Sequence, residues 1–408
     1  NYSVFDRKNY FYADLPQGYQ ISQFEYPIVG KGNVSIDLKD GTSKNIRIVR
    51  LHLEQDAGKS LHDQNPSKTY VDLNRSGVAL MEIVSEPDIS SAEEAGLYIS
   101  KIRSILMYLD TCDGNMQEGS LRADVNVSVR KPNDKLGTRC EIKNLNSIKF
   151  IKQAIDYEAK RQIKIIEDGG EINQNTLLFD TQTGKTKPMR SKEEAHDYRY
   201  FPDPDLLPLE IDDDEIKNIK NNILELPDER IERYIAEFGL SKYDASVLTI
   251  ERSVSDYFDE VIKSNKALQG HAKIVSNWIS TELFSLLKKD NLDISTSPVS
   301  SKNLGELIIL LTTNVISGKI AKEVLTEMFS SKKSAKYIVE KKGLKQMTDS
   351  SEIETIIEKI LSENQKMVNE YKSGKTKLLS YFVGQVMKKT KGKANPKLLN
   401  EILFKKLN

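Results

Sequence analysis

The side chains best able to handle charge crowd into residues 118–146. Leu121-Arg122-Ala123-Asp124-Val125-Asn126-Val127-Ser128-Val129-Arg130 alternates strictly between apolar and polar positions, the pattern of a strand with one buried face. Leu121, Ala123, Val125, Val127 and Val129 take the buried side; Arg122, Asp124, Asn126, Ser128 and Arg130 take the other. Beyond the turn Lys131-Pro132-Asn133-Asp134-Lys135, Thr138, Cys140 and Ile142 alternate with Arg139, Glu141 and Lys143. Two such runs across a short polar turn predict an antiparallel hairpin. One wet face is ordinary for a hairpin, and a charged outer face is one reading of this row. Asp and Asn are poor strand formers, however, so their choice here suggests a site more than a surface.

A second set lies upstream. Val49, Leu51 and Leu53 share one face of an expected strand, and Arg50, His52 and Glu54 share the other. His beside Glu allows a metal pair, a general acid–base pair or a surface ion pair. Glu82 stands in the apolar run 78–84, on a face with Leu80 and Val84. A carboxylate so placed must pair, bind a metal or raise its pKa. Gly58-Lys59-Ser60, Gly184-Lys185-Thr186 and Gly374-Lys375-Thr376 echo a phosphate loop. The earlier glycine that such a loop requires is replaced by Leu53, Phe179 and Asn369, so any ATP is bound by another fold. Residues 179–208 read as an ordered loop lining a cleft, because Pro202 and Pro204 exclude a central strand or helix; Arg190, Arg199 and the tyrosines there could meet an anionic ligand. Near the end, Lys388, Lys389, Lys391 and Lys393 gather on a Gly-containing loop, suited to phosphate contacts without base readout or to a solvated helix end.

These groups need elements to position them. A hairpin is expected from residues 34–38 and 46–54 over Lys39-Asp40-Gly41-Thr42. Ser91-Ala92-Glu93-Glu94 reads as a capping box opening a helix to about Leu109, with Ala95, Ile99, Ile102, Ile105, Leu106 and Leu109 inward. A long amphipathic helix over 147–168 turns Ile148, Ile151, Ile155, Ala159 and Ile166 inward and stops at Gly169-Gly170. Residues 1–27 suggest short strands in irregular structure, their aromatics packing or stacking on a base. Composition shifts at Ile211-Asp212-Asp213-Asp214-Glu215 to an all-helical remainder, and Ser330-Ser331-Lys332-Lys333-Ser334 suggests another boundary. The expected fold is α+β: a sheet-and-helix domain over 1–211, a helical domain over 212–330 and a small helical tail over 331–408. The 408 residues balance 60 Lys+Arg against 60 Asp+Glu, so nucleic acid would be met by local patches only. Two cysteines without CxxC spacing argue against a disulfide framework or a zinc site and suit a reducing compartment. No apolar run approaches a membrane span, and no signal peptide is read. Starting mid-pattern at Asn1, the chain is expected to lack a front segment.

Taken together, Leu51-His52-Leu53-Glu54-Gln55-Asp56-Ala57-Gly58-Lys59-Ser60, Val71-Asp72-Leu73-Asn74-Arg75, Glu82-Ile83-Val84-Ser85-Glu86-Pro87-Asp88, Glu118-Gly119-Ser120-Leu121-Arg122-Ala123-Asp124-Val125-Asn126, Lys143-Asn144-Leu145-Asn146-Ser147, Asp197-Tyr198-Arg199-Tyr200-Phe201-Pro202 and Phe382-Val383-Gly384-Gln385 resemble the B subunit of the tRNA-dependent amidotransferase, over nearly the whole chain. The resemblance implies a cradle of antiparallel sheet and helices, then a helical domain and a tail that touches tRNA. It implies a heterotrimer whose other members are an amidase, the A subunit, and a small C subunit. ATP and Mg²⁺ would activate the side-chain carboxylate of Glu or Asp misacylated onto tRNA(Gln) or tRNA(Asn), and channelled ammonia would complete the amide. Glu82, Arg122, Asp124, Asn126 and Lys143 match catalytic positions; Lys59, Arg75, Glu118, Asn144 and Asn146 are expected to meet the nucleotide. Glu82 and Gln55 match metal positions, the latter acidic in many relatives, whereas alternation sets Glu54 beside His52. A further His and Glu of that metal site would lie ahead of Asn1. Lys388, Lys389, Lys391 and Lys393 would meet the tRNA. The expected location is the bacterial cytoplasm or an organellar matrix. Two rival readings are a non-catalytic tRNA-binding scaffold and a small-molecule ATP ligase.

Overall fold

The computed structural model describes residues 2–407 apart from 62, 63, 66, 192–197, 345–349, 391 and 392. The chain divides into Asn1–Leu224 and Glu225–Asn408. The first unit opens with β1 (Tyr2–Ser3), β2 (Asp6–Asn9) and β3 (Tyr19–Ser22). β4 (Gly32–Asp37) and β5 (Ser43–Gln55) form the expected long hairpin, β6 (Lys59–Leu61) and β7 (Tyr70–Asp72) a short one, and β8 (Ala79–Ser85) returns alongside β5. Then come α1 (Ala92–Tyr108), β9 (Val125–Val127), β10 (Cys140–Lys143) and α2 (Ile148–Glu167). The unit ends with β11 (Asn175–Asp180), β12 (Lys185–Ser191), β13 (Phe201–Pro202), β14 (Leu209–Glu210) and α3 (Asp213–Asn222).

Among the described residues the strands form five small sheets, ordered β12-β11-β10-β9, β13-β2-β3, β4-β5-β8, β6-β7 and β1-β14. The fold is α+β, but the strands do not make one antiparallel sheet, and β10 pairs parallel to β11. The hairpin over 121–143 exists with a ladder only from Cys140↔Val127 to Ile142↔Val125. Residues 121–124 keep their alternation without that ladder. The first part of the loop expected over 179–208 belongs instead to the end of β11 and to β12. Pro188 is accommodated because β12 is an edge strand, where a missing N–H costs no ladder bond. β11 is placed by Asn144, whose left-handed φ of 67° ends β10 and whose Nδ2 donates to Phe179 O at 3.0 Å. Phe179, Ile142 and Ile151 then share one core, each burial stabilising by roughly 1.5–3 kcal/mol.

Helix starts follow their capping residues. Ser91 Oγ accepts from Glu94 N and Ser147 Oγ from Phe150 N. The Glu94 carboxylate accepts from Ser90 N, so the reciprocal bond of a capping box is displaced by one residue. Ile166, expected inward, is 47% exposed, and α2 instead buries the polar Glu158 and Gln162. Gly58 leaves β5 where an added Cβ would stand 2.6 Å from Leu73 Cδ2 and 2.8 Å from Asp14 O. Backbone cannot yield there, so Gly58→Ala is expected to destabilise the first unit by about 1–3 kcal/mol, read as a lower urea midpoint at unchanged slope.

The second unit is helical among its described residues, from a helix whose first residue is Pro227 and which stops at Gly239 in the left-handed conformation. It holds two cores, one from Tyr234 to Val339 and another from Ile353 to Leu407. Ala335, Ile338 and Val339 belong to the earlier core. α3 lies in the first of the two units.

Candidate functional site

β5 carries Arg50, His52 and Glu54 on one face, and its antiparallel register with β8 sets His52 opposite Glu82. The three groups converge. His52 Nε2 lies 3.4 Å from a Glu82 carboxylate oxygen and 3.8 Å from one of Glu54. One ligand atom from each of the three falls within 4.8 Å of the other two, the arrangement that can hold a metal ion. His52 is buried, while the Glu82 side chain is 53% exposed, so the cluster is open on one side.

Burial opposes protonation of His52, but its bonds to Glu54 and Glu82 outweigh this and push its pKa up to about 9. The same His52 bond draws the Glu82 carboxyl below its ordinary 4.5 against desolvation, helped by the nearby Lys8 and Arg50. Of the three fates open to Glu82, pairing is the one observed, and its pKa falls rather than rises. Arg50 Nε also faces His52 Nδ1 at 3.3 Å. That bond needs a bare Nδ1, whereas the imidazolium needs both nitrogens protonated. The long N–H···N contact is the weaker of the two and yields to the pair of carboxylates.

Tyrosines stand beside the cluster. Tyr198 meets Tyr10 and Tyr200 edge-on at 6.0 and 6.1 Å, and Phe24 stacks on Tyr200 at 4.5 Å. Lys8 Nζ lies 4.9 Å over the Tyr198 ring. Burial, reinforced by neighbouring charges including Glu54, pushes the Tyr10 and Tyr200 phenols up to about 12, which keeps them as hydrogen-bond donors.

Asp56, just beyond the cluster, gathers two predicted cations. It accepts from Arg75 Nε at 3.0 Å and from an Arg122 terminal nitrogen at 3.1 Å on each oxygen. Arg75 also donates to Gly119 O at 3.1 Å. Asp56 is itself fixed, its N–H donating to Val78 O and its carbonyl accepting from Gly77. Asp124 pairs with Lys143 at 2.6 Å, Lys143 reaches Glu141 at 3.2 Å, and Asn126 faces Glu141 across the ladder.

The remaining expectations divide. Glu54, on the same strand face as His52, joins His52 and Glu82; the next residue along β5 is Gln55, whose side-chain nitrogen is buried without a partner and whose carbonyl accepts from Gln20. Asn144 donates its side-chain nitrogen to Phe179 O at 3.0 Å. Glu118, Asn146 and Lys59 are exposed. Lys388 and Lys389 lie in the last helical turn of Leu378–Lys389 rather than on a loop, Lys389 near Glu363 at 3.8 Å. Lys393 is partly buried, and Lys391 lies outside the described residues, as do Asp197 and the Arg190 side chain. Alternation missed Asp56 and Lys8, whereas the tyrosines of residues 179–208 were noted as possible contacts for an anionic ligand. For Lys8, its place among Tyr10, Phe11 and Tyr12 was the available signal.

Residues 1–217 match the family described as "GatB/GatE catalytic domain" and residues 256–407 the one described as "GatB domain". The chain is 59% identical over 406 residues to the B subunit of the aspartyl/glutamyl-tRNA(Asn/Gln) amidotransferase of Pelagibacter ubique, covering 99% of this chain and 82% of that protein. Its counterpart in Granulibacter bethesdensis is 56% identical over 99% of this chain and 83% of its own length. That of Methylobacterium nodulans is 58% identical over 99% and 81%. With a catalytic-domain match over the half that carries the His52 cluster and identities this high along the rest, the chain belongs to the family of B subunits of the aspartyl/glutamyl-tRNA amidotransferase, a ligase of protein biosynthesis.

Proposed function

We propose that His52, Glu54 and Glu82 hold the divalent cation, Mg²⁺, with which this protein activates the side-chain carboxylate of Glu or Asp on misacylated tRNA(Gln) or tRNA(Asn) at the expense of ATP. The observation that carries the reading is the convergence of the three groups on adjacent strands β5 and β8. Two carboxylates suit a hard cation, and an imidazole can complete the set once its proton has left. When bound, the cation neutralises phosphate oxygens and favours attack on the γ-phosphoryl group.

The chain's own residues do the rest. Lys8 and Arg50 add positive charge where two anions must approach each other. Arg75 and Arg122, locked in place by Asp56, present preorganised donors to phosphate oxygens. Lys143 is neutralised by Asp124 and Glu141, so it and Asn126 position the acyl group rather than carry free charge. Ammonia from the amidase partner, assembled together with the small C subunit, then displaces phosphate from the activated carboxyl. Lys388, Lys389, Lys391 and Lys393 contact the tRNA backbone, and the enzyme works in the bacterial cytoplasm or an organellar matrix. No described helix is long and apolar enough to cross a membrane.

The test is metal binding with Mn²⁺ as a spin probe, paired with amidation of both misacylated tRNAs by the reconstituted complex. Glu54→Gln is expected to weaken Mn²⁺ binding by about 10–100-fold. Unchanged Mn²⁺ affinity in this variant would remove the cluster as the metal site.

A further inference from the structure

We propose that Tyr337, with Lys332, Lys333, Lys336 and Lys341 around it, holds an unpaired nucleotide of the substrate RNA. The proposal rests on the tRNA reading above and adds a contact of a different kind from that of Lys388 and Lys389. The two places stand on different cores. Ala335, Ile338 and Val339, the neighbours of Tyr337, belong to the core from Tyr234 to Val339. The helix Leu378–Lys389 instead buries Phe382 and Val386 in the core from Ile353 to Leu407.

Charge is the first observation. The whole chain balances 60 basic against 60 acidic residues, yet residues 332–344 hold five lysines and the single acid Glu340. Lys332, Lys333, Lys336, Lys341 and Lys342 are all exposed. Lys342 pairs with Glu327, whereas the other four have no ion-pair partner among the described residues. Glu306 comes close only through the backbone, accepting from Lys336 N at 3.1 Å. Lys332 ends the helix Gly318–Ser331 with a φ of 57°, a conformation that glycine adopts far more easily. Its ammonium is therefore kept at a conformational cost.

An aromatic ring among these cations is the second observation. Tyr337 lies in the helix Ala335–Lys341 and is 48% exposed. Lys333 Nζ stands 5.9 Å from the ring centroid and Lys341 Nζ 5.8 Å. Lys341 follows Tyr337 by one helical turn, and Lys333 reaches it from just ahead of the N-cap Ser334. Both contacts sit at the outer reach of a cation–π interaction. They hold the ammonium groups beside the ring and leave half of it open.

A ligand that uses both features is a polyanion with flat faces. Lysines meet phosphate oxygens as point charges, and an exposed phenol ring stacks on a base of any identity. Within an A-form stem each base is already stacked on its neighbours, so the nucleotide taken comes from a loop or an end. An acidic protein segment would use the lysines and leave the ring idle, which makes it the competing occupant.

The experiment measures binding to the assembled complex by fluorescence anisotropy. Its probes are uncharged tRNA(Gln) and tRNA(Asn), a short oligouridylate, a blunt RNA duplex and, as the charge control, polyglutamate. Tyr337→Ala is expected to weaken tRNA and oligouridylate about tenfold and to leave duplex and polyglutamate nearly unchanged; Tyr337→Phe should restore binding. Lys333→Gln combined with Lys341→Gln should lower the slope of log affinity against log salt by about 1.5. Both lysines are exposed, so this pair decides the matter if Tyr337→Ala fails to fold. RNA affinity indifferent to Tyr337→Ala, or a salt slope indifferent to the lysine pair, overturns the proposal. So does a polyglutamate affinity that falls as far as that for RNA, which would identify an acidic protein instead. Mn²⁺ binding reads the His52 cluster and not this surface, so either proposal can fail while the other stands.

Discussion

Glu82→Ala in the reconstituted amidotransferase is expected to lower the rate of tRNA amidation at least about a hundredfold, equivalent to a barrier higher by about 2.7 kcal/mol. The loss follows from position. Glu82 is the only member of the cluster contributed by β8, and it faces both His52 and the open side. Without it His52 keeps one carboxylate, and a cation would keep two of three ligands. The fold should hardly respond, because the Glu82 side chain is 53% exposed and leaves no cavity; such changes cost about 0.5 kcal/mol or less. The measurement is amide formed on misacylated tRNA under single turnover, with ATP hydrolysis and thermal unfolding followed in parallel. Glu54→Ala should behave alike, whereas Gln55→Ala should stay within about threefold, since alternation along β5 turns its side chain to the face opposite His52 and Glu54. If Gln55→Ala were the silencing change and Glu54→Ala the silent one, the ligand set would follow the family position rather than the observed register. An undiminished rate for Glu82→Ala would end the metal assignment.

How far this site was legible depended on the range of the interaction. Alternation along one strand put His52 beside Glu54, as the structure has it, because side-chain period two is a property of the strand itself; Gln55 was kept as a second metal candidate from the shared motif. The pairing of His52 with Glu82 needed the β5–β8 register, which contains an irregularity between Ile48 and Arg50 that no local pattern announces. Arg75 and Arg122 were chosen as anion binders, but the carboxylate that joins them, Asp56, read as an ordinary strand end. The β11–β12 hairpin was hidden because Pro202 and Pro204 were read as excluding strand across all of 179–208, whereas β12 is an edge strand, which tolerates Pro188 and a polar sequence. Asn144 read as a ligand because its motif is shared, whereas its positive φ and its bond to Phe179 O are visible only in three dimensions. The helix over 148–167 was plain from periodicity, yet its buried face was misjudged at Glu158 and Gln162, since a polar pair inside a core contradicts the apolar stripe used to find it.

That buried pair yields the largest stability effect expected in the first unit. The Glu158 side chain is wholly buried and accepts from Arg161 at 2.7 and 2.9 Å, from Gln162 at 2.8 Å and from Thr186 at 3.0 Å. It thereby ties α2 to β12, and through Gln162 to β9. Desolvation raises its pKa, but the bonds from Arg161, Gln162 and Thr186 outweigh it and hold the carboxyl below its ordinary 4.5. A depressed folded value means that this contribution is fully present above pH 4.5 and is lost as pH falls through the lower folded value. Glu158→Ala should therefore cost about 3 kcal/mol at neutral pH, the low end for a broken buried pair because Arg161 can turn partly to water. The unfolding transition of the first unit should fall by roughly 10 °C. The wild type, but not the variant, should lose part of its advantage on acidification below pH 4.5, so the two melting curves converge in acid. Replacing both partners, Glu158→Leu with Arg161→Met, should recover much of the loss, because the charge is then removed rather than orphaned. Calorimetry of the three chains at about pH 7 and about pH 3 decides it: equal stability of Glu158→Ala and wild type at neutral pH, or a gap between them that widens in acid, would show that the carboxylate is not what holds α2 to β12.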